Sequence, residues 1–308
     1  MRADANSIIV HHYEMSPFSE KIRVVFGIKG LSWFACDEPV IMPKPELTAL
    51  TGGYRKIPVM QIGADIYCDT RAILREIEWR FPTANPNLGQ DLGLALSFWA
   101  DRTLFSAIVT VVFGAGQFRV DDAFIKDREA LTGQRFNPDA MAAAVPGALS
   151  SIRAHLIDLE TSLADGRAFI AGERPSITDA AVFHNLNFIR LGFPDGHPLM
   201  KTMPRLSAWE DRVRAIGHGR RAEITRDEAL EVARSAESAQ KVEHDPDDPM
   251  GLRPGDKIRI GADDYGRDWI DGELVASSAD HIAIRRRDDR VGDVVVHFPR
   301  AGFVVTRA

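Results

Sequence analysis

Only two cysteines, Cys36 and Cys68, occur in 308 residues. That is too few for a disulfide framework, and it fits a reducing cytosol. Both fall in expected strands, where burial leaves a thiol inert. Positive charge is not in excess. The formal net charge is −6 at pH 7, which argues against broad nucleic-acid binding, since that leans on lysine and arginine. Long apolar runs are lacking too. The longest, around residues 107–115, falls short of the roughly 20 residues a membrane helix needs. No basic start followed by an apolar core opens the chain, so no signal peptide is expected. His11-His12 matches no metal-ligand spacing, and neither His-Glu-x-x-His nor paired Cys-x-x-Cys occurs. No metal is expected. Gly52-Gly53 has no phosphate-loop lysine after it and reads as a turn.

What is present starts with a strand over residues 7–12 and a helix over 17–29. Pro17 suits the first position of a helix, where its missing N–H needs no partner. Ser16 then falls at the N-cap, and Gly30 ends the helix. Residues 1–86 read as β-α-β-α-β-β-α. Gly63-Ala64-Asp65 makes a hairpin turn, and Pro82 stops the third helix. A strand leading into a helix N-terminus is a place to hold an anion, because unpaired N–H groups and a partial positive charge meet there.

Several motifs in order carry a resemblance: Ser16-Pro17-Phe18 before a helix with Lys21 and Arg23, then Lys44-Pro45-Glu46, Ile57-Pro58 and Asp69-Thr70. Together they resemble the thioredoxin-like half of the cytosolic glutathione transferases. The nearest pattern is the omega and glutaredoxin-like signature, with serine where that signature has cysteine. The resemblance spans residues 7–225 and is strongest in the first 82. It implies that Ser16 stabilises the glutathione thiolate, with Tyr13 and Ser19 as rival hydroxyls. It implies a glutathione site of Phe18, Lys44, Lys56, Ile57, Pro58, Asp69 and Thr70. There a cis Pro58 presents extended backbone to the cysteinyl part, Asp69-Thr70 meet the γ-glutamyl end, and Lys44 pairs with the glycyl carboxylate. Aspartate is shorter than the family's glutamate or glutamine at this place. An electrophile pocket between domains would be lined by Tyr13, Trp99, Arg102, Phe105 and Val109. A cytoplasmic homodimer without metal, membrane or nucleic acid completes the implication.

The serine has chemical consequences. A free thiol titrates near 8.5. A hydrogen bond to a charged sulfur contributes about 1.5–3 kcal/mol and a helix N-terminus about 0.3–1 kcal/mol. At about 1.4 kcal/mol per pKa unit, the thiol falls by roughly one to three units. Serine cannot form a mixed disulfide, so thiol–disulfide exchange is not expected at this site. Thiolate attack on an electrophile fits better.

Residues 83–89 read as a linker rich in proline and asparagine, and 87–242 as an all-helical domain. Ser176-Ile177-Thr178-Asp179 is a capping box, a structural feature. Residues 243–250 are acidic and proline-rich, and read as an exposed linker. Beyond them, 251–308 shows short alternating runs, read as a small five-stranded SH3-like barrel. Its Arg285-Arg286-Arg287 is followed at once by Asp288-Asp289, so it leaves no basic footprint. The expected architecture is therefore an α/β thioredoxin-like domain, an all-helical domain and a β-barrel. Two rivals stand beside the transferase reading. One is a non-catalytic glutathione or apolar-ligand binding protein; the other is a specialised glutathione-dependent lyase, isomerase or dehalogenase. The barrel either trims the pocket mouth or docks a partner.

Overall fold

The computed structural model describes residues 2–82, 91–115, 118–193 and 197–308. The linker expected at 83–89 lies outside them. The first unit forms as expected: β1 (Ile9–His12), α1 (Pro17–Lys29), β2 (Ser32–Asp37), α2 (Pro45–Thr51), β3 (Val59–Ile62), β4 (Asp65–Cys68) and α3 (Thr70–Arg80). β1 runs parallel to β2 and antiparallel to β3, and β3 and β4 form the hairpin. Ile22, Val25 and Phe26 of α1 are buried against Ile73, Leu74 and Ile77 of α3 and against Val10 of the sheet.

The helical region holds α4 (Asp91–Trp99), a π-helical turn (Ala100–Leu104), α5 (Phe105–Gly114), α6 (Asp122–Thr132), α7 (Pro138–Ser162), α8 (Ile177–Ile189) and α9 (Pro204–Ile216). Two stretches, Gly93–Gly114 and Pro138–Asp165, have the length and hydropathy of a membrane span, longer than the apolar run seen in sequence. The first packs α5 on α7 and α8 within the helical region and carries Asp101 and Arg102.

The all-helical reading of 87–242 needs one correction. After α9 the chain returns as β5 (Arg220–Ile224), pairs parallel with β2, and continues into α10 (Arg226–Arg234). Gly27 makes this return possible: a Cβ there would lie 2.0 Å from the Gly217 carbonyl oxygen. The Arg-Arg-Ala-Glu-Ile pattern of β5 has too little apolar alternation to announce a strand, and pairing with β2 supplies what propensity does not.

Five C-terminal strands form where five were expected: β6 (Lys257–Ala262), β7 (Ile270–Ser277), β8 (His281–Asp288), β9 (Gly292–Pro299) and β10 (Phe303–Arg307). They are not separate from the first unit. β9 pairs parallel with β4, and one sheet runs in the order β10-β6-β7-β8-β9-β4-β3-β1-β2-β5. A single apolar cluster holds Ile258, Ile284 and Phe298 together with Leu50, Tyr54 and Ile66. Residues 243–250 are folded against this sheet rather than free. Glu243 bridges Ala276, and the buried Asp248 accepts from Ser277 and pairs with Arg300.

Candidate functional site

A cavity of about 640 Å³ opens where the three regions meet. Ser16 lies on its wall as the N-cap of α1. It is only 2% exposed, and its Oγ accepts from the Ser19 N–H at 3.2 Å. Its hydroxyl also lies in hydrogen-bonding reach of Tyr13. Tyr13 lines the same wall. Burial pushes its phenol up, while Arg128 and Ser16 beside it act the other way. Ser19 does not line the cavity. Its side chain is fully buried, with no partner for Oγ among the described residues. It drops out as a rival hydroxyl, because its place on α1 turns it inward.

The Ile57–Pro58 bond is cis, and both residues line the cavity. Asp69 is the N-cap of α3 and accepts from the Arg71 N–H at 2.8 Å. Its φ is +79°, a conformation that aspartate adopts only under strain. Among the described residues it is the one non-glycine with positive φ. Burial raises its carboxyl. Thr70 Oγ1 accepts from Lys21 Nζ at 2.6 Å. Lys44 is 4% exposed, with its ammonium over the Tyr13 ring at 5.6 Å. Burial lowers its pKa to about 8, helped by Arg128. Lys56 bonds Asp264 Oδ1 at 2.7 Å and stands 4.3 Å from the Tyr265 ring centre.

Phe18 packs on Phe105, ring centres 4.7 Å apart, and Phe105 stacks on Phe188. Val109 and Phe113 extend this apolar end of the cavity, and Arg102 sits at its edge near Gly302. Trp99 is the exception. It does not line the cavity but meets His155 edge-on at 5.4 Å. The expectation assumed uninterrupted α spacing from Trp99 to Val109. The π turn at Ala100–Leu104 breaks that phase and turns Trp99 toward α7.

Sequence reasoning missed four residues at the site. Lys21 is fully buried and bonds Asp101 Oδ2 at 2.5 Å as well as Thr70. Asp101 also meets His184 Nε2 at 3.1 Å. Burial pushes Asp101 up, but Lys21 and His184 outweigh it and hold the carboxyl low. A charge inside the apolar stretch 93–114 was the available signal. Asp264 and Tyr265 come from the β6–β7 loop, far along the chain, and no local pattern marks them.

One set of metal-ligating side chains comes together among the described residues. Atoms of His11, Cys36 and Glu38 lie within 4.8 Å of one another. Hydrogen bonds already engage the imidazole. Nδ1 faces Glu38 Oε1 at 2.9 Å and Nε2 faces Gln61 Oε1 at 3.0 Å. Gln61 Nε2 donates to the Gly63 and Ala229 carbonyls, which turns its oxygen toward His11. The Gln61 oxygen calls for a donor at Nε2 while Nδ1 bonds Glu38, an arrangement that favours the charged form of His11.

A thioredoxin-like unit, a helix N-terminus facing a cavity and an apolar far end define a glutathione-transferase architecture. The model of the glutathione S-transferase N-terminal domain matches residues 10–86, and that of a domain of unknown function matches residues 113–221. A GST-like protein from Pseudomonas syringae is 36% identical, with a TM-score of 0.81, over 98% of this chain and 100% of that one. The match therefore extends through the C-terminal strands. This chain belongs to the glutathione S-transferase family. A glutathione S-transferase from Rhodospirillum rubrum F11 shares the fold at 20% identity and a TM-score of 0.54, over 68% of this chain and 88% of that one. A theta class enzyme from Xanthomonas axonopodis pv. citri, solved with glutathione bound, shares it at 19% and 0.50, over 68% and 93%. No curated protein matches the chain.

Proposed function

We propose that the protein is a glutathione transferase that holds the glutathione thiolate at Ser16 and adds it to an apolar electrophile. The observation that carries this reading is the placement of Ser16, an α1 N-cap, in one cavity with cis Pro58 and the strained Asp69. Ile57 and Pro58 would offer extended backbone to the cysteinyl residue. The α3 N-terminus, Asp69 and Thr70 would take the γ-glutamyl end. Lys44, a buried ammonium with no carboxylate bonded to it among the described residues, would take the glycyl carboxylate. The sulfur would then lie between Ser16 and the aromatic end at Phe105 and Val109. Thiolate sulfur forms a bond to an electrophilic carbon. A leaving group departs with its electron pair or, in an addition, the neighbouring atom takes a proton. Ser16 keeps its own proton and donates a hydrogen bond to sulfur throughout. A cytoplasmic homodimer and a detoxifying role belong to the same reading, by likeness to the family.

Calorimetric titration of glutathione, with ultraviolet absorbance of the bound thiolate across pH, tests it. Wild type is expected to bind with a lowered thiol pKa, and Ser16→Ala to raise that pKa by roughly one to two units, the worth of a hydrogen bond to charged sulfur. An unshifted thiol in both proteins would mean that the fold binds glutathione without activating it.

A further inference from the structure

The β6–β7 loop leaves the C-terminal strands and is pinned to the cavity at three places. Lys56 of the first unit bonds Asp264 at 2.7 Å. Leu131 at the end of α6 accepts from the Gly266 N–H at 2.7 Å. Arg102 of the π turn pairs with Asp263. Within the loop, Arg267 donates to the Asp264 and Asp263 carbonyls at 2.7 and 2.9 Å. Such anchoring holds Tyr265, beside Asp264, against the cavity.

The Tyr265 ring lies under the Lys56 ammonium. A phenylalanine would serve that contact equally well. The hydroxyl is what needs a reason. It has no hydrogen-bond partner among the described residues, and it belongs to a half-buried ring lining the cavity. Burial, then Asp264, Asp69, Asp101 and Tyr13, all push its phenol upward. The phenol therefore keeps its proton and is free to donate, in a cavity that Asp69 and Asp101 also line. In the free protein, water filling the cavity can meet this hydroxyl, and a bound ligand's acceptor would take that water's place.

We propose that Tyr265, delivered by the C-terminal strands, donates its hydroxyl hydrogen bond to the γ-glutamyl end of bound glutathione. The assignment rests on the glutathione reading given above. In it, Asp69 faces the γ-glutamyl ammonium, and the Tyr265 hydroxyl and the α3 N-terminus face its carboxylate. The C-terminal strands thereby complete the tripeptide site as well as covering it. Tyr265 is a binding residue that leaves the sulfur to Ser16.

The test is calorimetry on the full chain and on Tyr265→Phe, with glutathione and with S-methylglutathione, which keeps the γ-glutamyl end and lacks the free thiol. A lost hydrogen bond to a carboxylate predicts affinity at least about tenfold weaker for both ligands. The thiol pKa of bound glutathione and the melting temperature of the free protein should stay as in wild type. Equal affinity in the two proteins overturns the proposal. A loss confined to glutathione also overturns it, because the hydroxyl would then meet sulfur. If wild type itself binds neither ligand, the glutathione reading fails first. If wild type binds and the variant matches it, only the role of Tyr265 fails.

Discussion

His11 shows how one residue can carry a pH dependence far from the cavity. It lies in the centre of β1, fully buried, bonded to Glu38 on one side and Gln61 on the other. Burial lowers its pKa, but Cys36 and Glu38 more than reverse this and raise it from 6.5 to about 10. A folded-state pKa above the unfolded one gives stability that is complete below pH 6.5 and is lost as pH rises toward about 10. The stability advantage of wild type over His11→Gln, from urea unfolding, should therefore shrink steadily between pH 7 and 10. A difference that stays flat over that range would mean a neutral imidazole. The histidine was visible in sequence only as one of a pair without metal spacing. Its ion pair could not be read, because Glu38, just past β2, and Gln61 of β3 reach it from elsewhere in the sheet. Ser16 was legible for the opposite reason: capping is local, decided within three residues of Pro17 and Ser19.

At the scale of elements, helix starts and stops were the most readable features. The capping box Ser176–Asp179 forms at the head of α8. Asp179 does more than cap. Its carboxylate accepts from Ser176 N and Oγ, from Ile170 N and from the Trp209 indole. One side chain thus joins α8 to the preceding loop and to α9. Asp179→Ala leaves several buried donors unmet and should cost about 2–4 kcal/mol. Asp179→Asn keeps part of the set and should cost less; chemical denaturation of both checks the order. β5 and the π turn were not readable. The first draws its pairing from β2, and the second moves Trp99 off the cavity without any glycine or proline to announce it. Both are tertiary choices that override a local pattern.

For the whole molecule, the decisive contact is the seam between β4 and β9. Asp65 pairs with Val295, Ile66 with Val296 and Tyr67 with His297. Phe298 is fully buried and lies edge-on to Tyr54 of the first unit. Phe298→Ala should destabilise by about 3–5 kcal/mol. Because the apolar cluster is shared, it should lower a single cooperative transition of the first unit and the C-terminal strands together. Two separate transitions in calorimetry, with only the smaller one shifted, would show that the strands fold alone. The sequence by itself determined the βαβαββα order, the helix caps, the five C-terminal strands and a candidate site built around Ser16. Each depends on neighbours within a few residues or on a motif that a short segment carries. Only the tertiary structure decided that the C-terminal strands extend the same sheet, that β5 joins its other edge, and that Asp264 and Tyr265 enter the cavity. Strand edges pair through backbone groups that every residue has, so the choice of partner leaves no local mark in the sequence.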